Sequence, residues 1–140
     1  MKKLAIAIQG TIVGMMLLLV AVVASASSIT LLSGASAPVT GGTYTLPTAS
    51  SNRTHSASLS AASSSVSASV TIQGSADSLT WEDLATIPLS LGTVDVNCHN
   101  ANPLVQYCTG APNQAAWPFE RCNLTAISGV SATVDCKVGY

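Results

Sequence analysis

Four cysteines are the residues whose type and spacing most clearly imply chemistry. Cys98, Cys108, Cys122 and Cys136 all lie in the last third of the chain. An even number of cysteines predicts two disulfides in an exported protein, and three pairings are formally open. A metal site at Cys98, His99 and Cys108 would need reduced thiols and a fourth ligand, so we expect no bound metal.

Residue types used in catalysis are present, but their spacing does not suit it. His55 lies in a serine-rich stretch with no acid or nucleophile near it in the sequence, which predicts a surface histidine. Glu82 and Asp83 are adjacent, so their side chains would diverge on a strand. The many serines include no Gly-x-Ser-x-Gly element. We therefore expect neither an enzyme nor a cofactor.

Two tryptophans, Trp81 and Trp117, are the candidates for contact with a ligand. A sugar-binding module would present exposed aromatic faces, which makes both of them candidate ligand-facing residues. The alternative is that both indoles fill the core of a small sandwich whose other core residues are mainly alanine and valine.

The first 26 residues predict export. Two lysines follow Met1, about 21 residues without charge run from Leu4 to Ala24, and Ala24-Ser25-Ala26 offers a cleavage site for signal peptidase. Residues 4–24 are also long enough to remain as an N-terminal membrane anchor. Because the lysines keep their end in the cytoplasm, both fates place residues from Ser27 onward outside it, in the periplasm, in the medium or on a membrane-anchored surface.

A third interpretation makes the chain a pilin-like filament subunit. Gly10 would then be a prepilin-type cleavage site, but Met15 stands where an acidic residue is expected. Residues 27–140 carry three basic and six acidic side chains, a formal net charge of −3. This charge and the lack of a basic patch argue against a nucleic-acid partner.

Alternation of small apolar and polar residues predicts strands. From Ser65 to Gln73 every second residue is apolar, which is typical of a strand with one buried face. Pro88 predicts an edge strand or a strand end. Residues 27–42 are predicted to be a linker or a first strand, and residues 97–116 a long loop closed by a disulfide.

The end of the chain predicts a hairpin about Gly129. Two alternating runs flank this glycine, and pairing them places Cys122 opposite Cys136 on one apolar face. This register favours a Cys122–Cys136 disulfide and leaves Cys98–Cys108 to close the loop. The alternative is a bridge from the loop to the sheet.

Short strands separated by turn residues predict an all-β fold. We expect a small antiparallel β-sandwich, jelly-roll or immunoglobulin-like, over residues 43–140, preceded by an N-terminal hydrophobic helix in residues 1–26. No segment after residue 27 has a sustained helical period.

Two segments resemble parts of a known class of protein. Val70–Trp81, followed by Leu84–Leu89, is similar to a strand–turn–tryptophan pattern in small β-sandwich proteins encoded by tailed phages and prophages. Trp117-Pro-Phe-Glu-Arg121, followed by Leu124–Val134, is similar to their closing hairpin. The first segment also resembles, more weakly, the discoidin-type carbohydrate-binding sandwich.

The resemblance implies a non-enzymatic structural or interaction protein on a cell or virion surface. Its partners would be proteins of a surface assembly, further copies of the chain included. The leader and the four cysteines depart from the phage pattern, which favours a prophage-borne exported protein or a domain displayed on a membrane or filament. The alternatives are a carbohydrate-binding module for a cell-surface glycan and a pilin-like filament subunit.

Overall fold

The computed structural model describes residues 27–47, 53–63, 65–91, 97–102, 104–109 and 117–140. The predicted N-terminal hydrophobic helix and the cleavage site after Ala26 lie outside these residues. Within them, no helix is long and apolar enough to cross a membrane.

Ten strands make up the regular structure of the described residues. They are β1 Ser28–Ala35, β2 Val39–Thr40, β3 Tyr44–Thr45, β4 Thr54–Ser60, β5 Ser67–Ser75, β6 Glu82–Ser90, β7 Cys98–Asn102, β8 Val105–Thr109, β9 Phe119–Ser128 and β10 Thr133–Gly139. Sheet I has the strand order β1-β10-β4-β8-β7. Sheet II has the order β2-β9-β5-β6, and β3 also pairs with β9. All pairs are antiparallel, so the predicted all-β, sandwich-like class is confirmed.

The inward side chains of both sheets form one hydrophobic core. The predicted alternation after Ser65 is observed in and just before β5, where Val66, Ala68, Val70 and Ile72 are buried. Strands β4 and β10 alternate in the same way, with serines or charged residues on the outer face. Pro88 lies in β6, the edge strand of sheet II, as its missing N–H predicted.

The segment about Gly129 crosses between the sheets, so the predicted hairpin is wrong. Strand β9 pairs with β5, β2 and β3 in sheet II, and β10 pairs with β4 and β1 in sheet I. Both strands direct their apolar residues into the shared core. An alternating pattern on the two sides of a turn therefore arises equally from a hairpin and from this crossing.

Two further segments differ in part from the sequence expectation. Residues 28–35, for which a linker and a first strand were the alternatives, are a full strand paired with β10. The predicted long loop of residues 97–116 contains the paired strands β7 and β8, and residues 110–116 lie outside the described part.

Replacing Gly129 with alanine should destabilise the protein by about 2–4 kcal/mol. Gly129 has φ +106°, which L-residues rarely adopt, and an added Cβ would overlap the Val66 side chain. Gly34 is the matched control, because it has φ +60° but no atom within 4 Å of the added carbon. Gly34→Ala should cost only about 1 kcal/mol. Equal urea midpoints for the two variants would contradict the close contact at the crossing.

Candidate functional site

A buried cluster of three polar side chains joins the sheets. Arg53, just before β4, donates from Nη1 to Oε1 of Glu120 on β9 at 2.6 Å. Nε2 of His55 on β4 lies 2.7 Å from the other carboxylate oxygen. Each of the three side chains is only 1% exposed. Since an ionised carboxylate only accepts, Nε2 of His55 carries the proton in this contact.

The same arginine also binds two backbone carbonyls. Its Nη1 donates to the oxygen of Trp117 at 2.6 Å, and its Nη2 donates to the oxygen of Pro47 at 3.0 Å. The planar guanidinium suits this task because its N–H groups diverge in fixed directions. Arg53 therefore ties two segments to sheet I, namely the residues that follow β3 and the residues that precede β9.

The prediction that His55 lies on the surface is wrong. Glu120 is 65 residues away in the sequence and meets His55 only when the two sheets pack. One signal was available in the sequence, because His55 shares its strand face with Ala57 and Leu59. That alternation places the histidine on the inner face of β4.

Trp117 lies half-buried against the backbone of sheet II. A carbon added at Gly74 on β5 would lie 2.6 Å from Cγ of this indole, so the absence of a side chain at Gly74 gives the ring its place. The indole Nε1 is buried and has no hydrogen-bond partner among the described residues. Trp117 therefore serves mainly as packing.

Trp81 is also half-buried, and a cation covers its ring. Cζ of Arg121 lies 3.9 Å from the ring centroid. Nε of Arg121 donates to Gln73 at 2.8 Å, and the Gln73 amide donates to Asp83 at 2.7 Å. This row of polar contacts holds the guanidinium over the indole. The structure thus places both predicted ligand-facing tryptophans half-buried beside sheet II, with Arg121 over one ring and the backbone at Gly74 under the other.

Two disulfides account for all four cysteines. Cys122 on β9 and Cys136 on β10 join the sheets through the core, and both residues are 0% exposed. Cys98 and Cys108 are opposed residues of β7 and β8 at the edge of sheet I. The favoured pairings are therefore present, but Cys122–Cys136 is an inter-sheet bridge and not a bridge within a hairpin.

The geometry gives the buried cluster a holding role. A general acid or base must reach the proton that it transfers, whereas both carboxylate oxygens of Glu120 are already engaged inside the core. Among the described residues, no group of three His, Cys, Asp or Glu side chains is arranged to bind a metal ion. Comparison of the chain with protein-family models, with curated proteins and with solved structures finds no match.

Proposed function

We propose that this chain is a non-enzymatic structural or interaction protein that is exported and displayed on a cell or virion surface. The observation that carries the proposal is the buried inter-sheet disulfide between Cys122 and Cys136. Disulfides of this kind form and persist in oxidising compartments. Because both sulfurs are sealed in the core, oxidation must accompany folding, which fits a domain that folds after export behind the leader.

The low charge of the chain supports a role in assembly. Charged residues make up 8% of the sequence, against roughly 25% in typical soluble domains. Burying a surface that carries so few ions against a partner desolvates little charge, which lowers the cost of association. The proposed partners are proteins of a surface assembly, further copies of this chain included.

The topology favours one of the two expected sandwich types. Apart from the two-residue β3 and the edge strand β7, eight strands of the described residues remain, and counted along the chain they lie in the order 1-8-3-6 in sheet I and 2-7-4-5 in sheet II. This is the order of a jelly roll, in which eight strands form two facing sheets. The Cys122–Cys136 bridge joins consecutive strands, unlike the B–F bridge of immunoglobulin domains, so we favour the jelly-roll description.

The position of Ser27 fixes the orientation of a displayed domain. The backbone N–H of Tyr140 donates to the carbonyl of Ser27 at 3.0 Å, so the leader joins the sandwich at the same end as the C-terminal residue. A retained anchor would hold that end toward the membrane. The opposite end, where Val130 is 74% exposed, would then face outward.

The test is to express the full chain with its own leader and to analyse the product. We expect a protein that an external protease can reach, with both disulfides formed in non-reducing peptide maps. N-terminal sequencing should find Ser27 after cleavage or Met1 in an anchored form, whereas Thr11 would indicate pilin-like processing. A control lacking residues 4–24 should stay in the cytoplasm with free thiols. Free thiols and protease protection in the full chain would overturn the proposal.

A further inference from the structure

The outer face of sheet I contains a trough that runs along β4. Strand β4 lies between β10 and β8, and its outward side chains at this point are Ser56 and Ser58. The flanking strands carry larger outward side chains, with Tyr107 on β8 and with Asp135 and Lys137 on β10. Short side chains between longer ones form the floor and the two walls of an open trough, whose volume is about 200 Å³.

The strand register sets the width of this trough. Ser58 pairs with Asp135 on one side and with Tyr107 on the other. Neighbouring strands lie about 4.7–4.9 Å apart, so the backbones that carry the two walls are roughly 10 Å apart. Ser56 pairs with Lys137 on the same face, one repeat further along β4. A gap of this size admits a single six-membered ring with its substituents.

The side chains of the trough offer donors, acceptors and one aromatic face. Tyr107 is 51% exposed. Oδ1 of Asp135 accepts the Gly34 N–H at 2.8 Å, which orients the carboxylate and leaves Oδ2 for a ligand. Lys137 only donates, and serine hydroxyls can do both. Within the part of the chain that the structure describes, the side chains of Ser56, Ser58, Tyr107 and Lys137 make no hydrogen bond.

We infer that the trough binds a neutral saccharide, with one sugar ring stacked on Tyr107 and its hydroxyl groups bonded to Asp135 and Lys137. A sugar presents apolar C–H groups, which pack on the negative face of an aromatic ring, and hydroxyl groups, which need both donors and acceptors. The charges of Asp135 and Lys137 cancel, so the trough has no net charge that would favour an anionic or a cationic ligand. The inference goes beyond the proposed function, because it adds a saccharide ligand to a domain for which protein partners are proposed.

A peptide fits this trough less well than a sugar. An added peptide strand would need unpaired backbone groups, but β4 is paired on both sides, with β10 and with β8. The five side chains that line the trough besides Ala57 are all polar or amphipathic, so an apolar anchor would find no apolar pocket. The predicted ligand-facing residues Trp81 and Trp117 take no part, since they adjoin strands of sheet II.

The experiment titrates the exported, oxidised protein with neutral tetrasaccharides of β-1,4-linked glucose, β-1,4-linked N-acetylglucosamine and α-1,4-linked glucose. We expect at least one of them to bind with a Kd on the order of 1 mM or tighter, as a small open site allows. Amide shifts in ¹⁵N spectra should cluster on β4, β8 and β10. Tyr107→Ala should weaken binding at least about tenfold, and Tyr107→Phe should retain it.

Tyr44 supplies the matched control. It is an exposed tyrosine on β3 of sheet II, so Tyr44→Ala should leave the Kd unchanged. The inference is overturned if no tetrasaccharide of the panel shifts these strands, or if Tyr107→Ala binds like the wild type. It is also overturned if the same amides respond only to protein concentration, because a second copy then covers the face. None of these results bears on export, which the N-terminus and the thiols report separately.

Discussion

Glu120→Gln should lower the free energy of unfolding by about 3–5 kcal/mol, measured by urea denaturation. The substitution keeps the shape of the side chain but removes its negative charge. The guanidinium of Arg53 would then be a buried cation without a counter-charge, at 1% exposure. A loss of this size is a large fraction of the 5–15 kcal/mol that stabilises a typical domain. The variant should therefore unfold at a much lower urea concentration than the wild type.

Two further variants separate the buried charge from a general effect of the substitution. Glu82→Gln makes the same change at an exposed position on β6 and should alter stability by less than about 0.5 kcal/mol. Arg53→Met also removes the bonds to the carbonyls of Trp117 and Pro47, so it is compared with and without Glu120→Gln in a double-mutant cycle. In the Arg53→Met background, Glu120→Gln should cost much less than in the wild type, because no buried cation is left without a counter-charge. If Glu120→Gln costs as much in that background as in the wild type, the unpaired cation is not the cause.

Local alternation was enough to predict the strands, but not their partners. The period of two in and around β5 places Val66 and Val70 in the core whichever strands lie beside it. The same local signal on both sides of Gly129 suggested a hairpin. Whether two such strands pair or face each other across a core depends on contacts with β4 and β5, which lie far away in the sequence. Local patterns along the sequence do not report such distant contacts.

The site shows the same division between local and distant information. The inward position of His55 follows from its own strand, whereas its contact with Glu120 needs both sheets in place. Arg121 covers Trp81 because β9 and β6 both flank β5, which no spacing in the sequence indicates. Tyr107 is not among the candidates from the sequence, because residues 97–116 were predicted to be a loop. A loop prediction gives no outward face, whereas strand β8 places Tyr107 on the outer face of sheet I.

The two disulfides should differ in their effect on stability because of where they lie. The Cys122–Cys136 bridge closes the corner at which the chain passes from sheet II to sheet I, and it spans 14 positions. A cross-link over a loop of this size lowers the conformational entropy of the unfolded chain and thereby stabilises the folded state by about 3 kcal/mol. The Cys98–Cys108 bridge joins β7 to β8, and β7 is an edge strand paired with β8 alone. An edge strand can fray locally while the rest of the core stays folded.

Replacing Cys122 and Cys136 together by alanine should therefore cost about 3 kcal/mol in the free energy of unfolding, measured by urea denaturation. The matched control replaces Cys98 and Cys108 together, which are 10 positions apart, so loop closure alone would predict nearly the same loss. Local fraying of β7 should limit the loss in this control to about 1 kcal/mol, because the rest of the core stays folded. Faster amide exchange should be confined to β7 and β8 in the control, but should extend through both sheets in the core variant. Equal losses of stability would show that the inter-sheet bridge has no special weight in the fold.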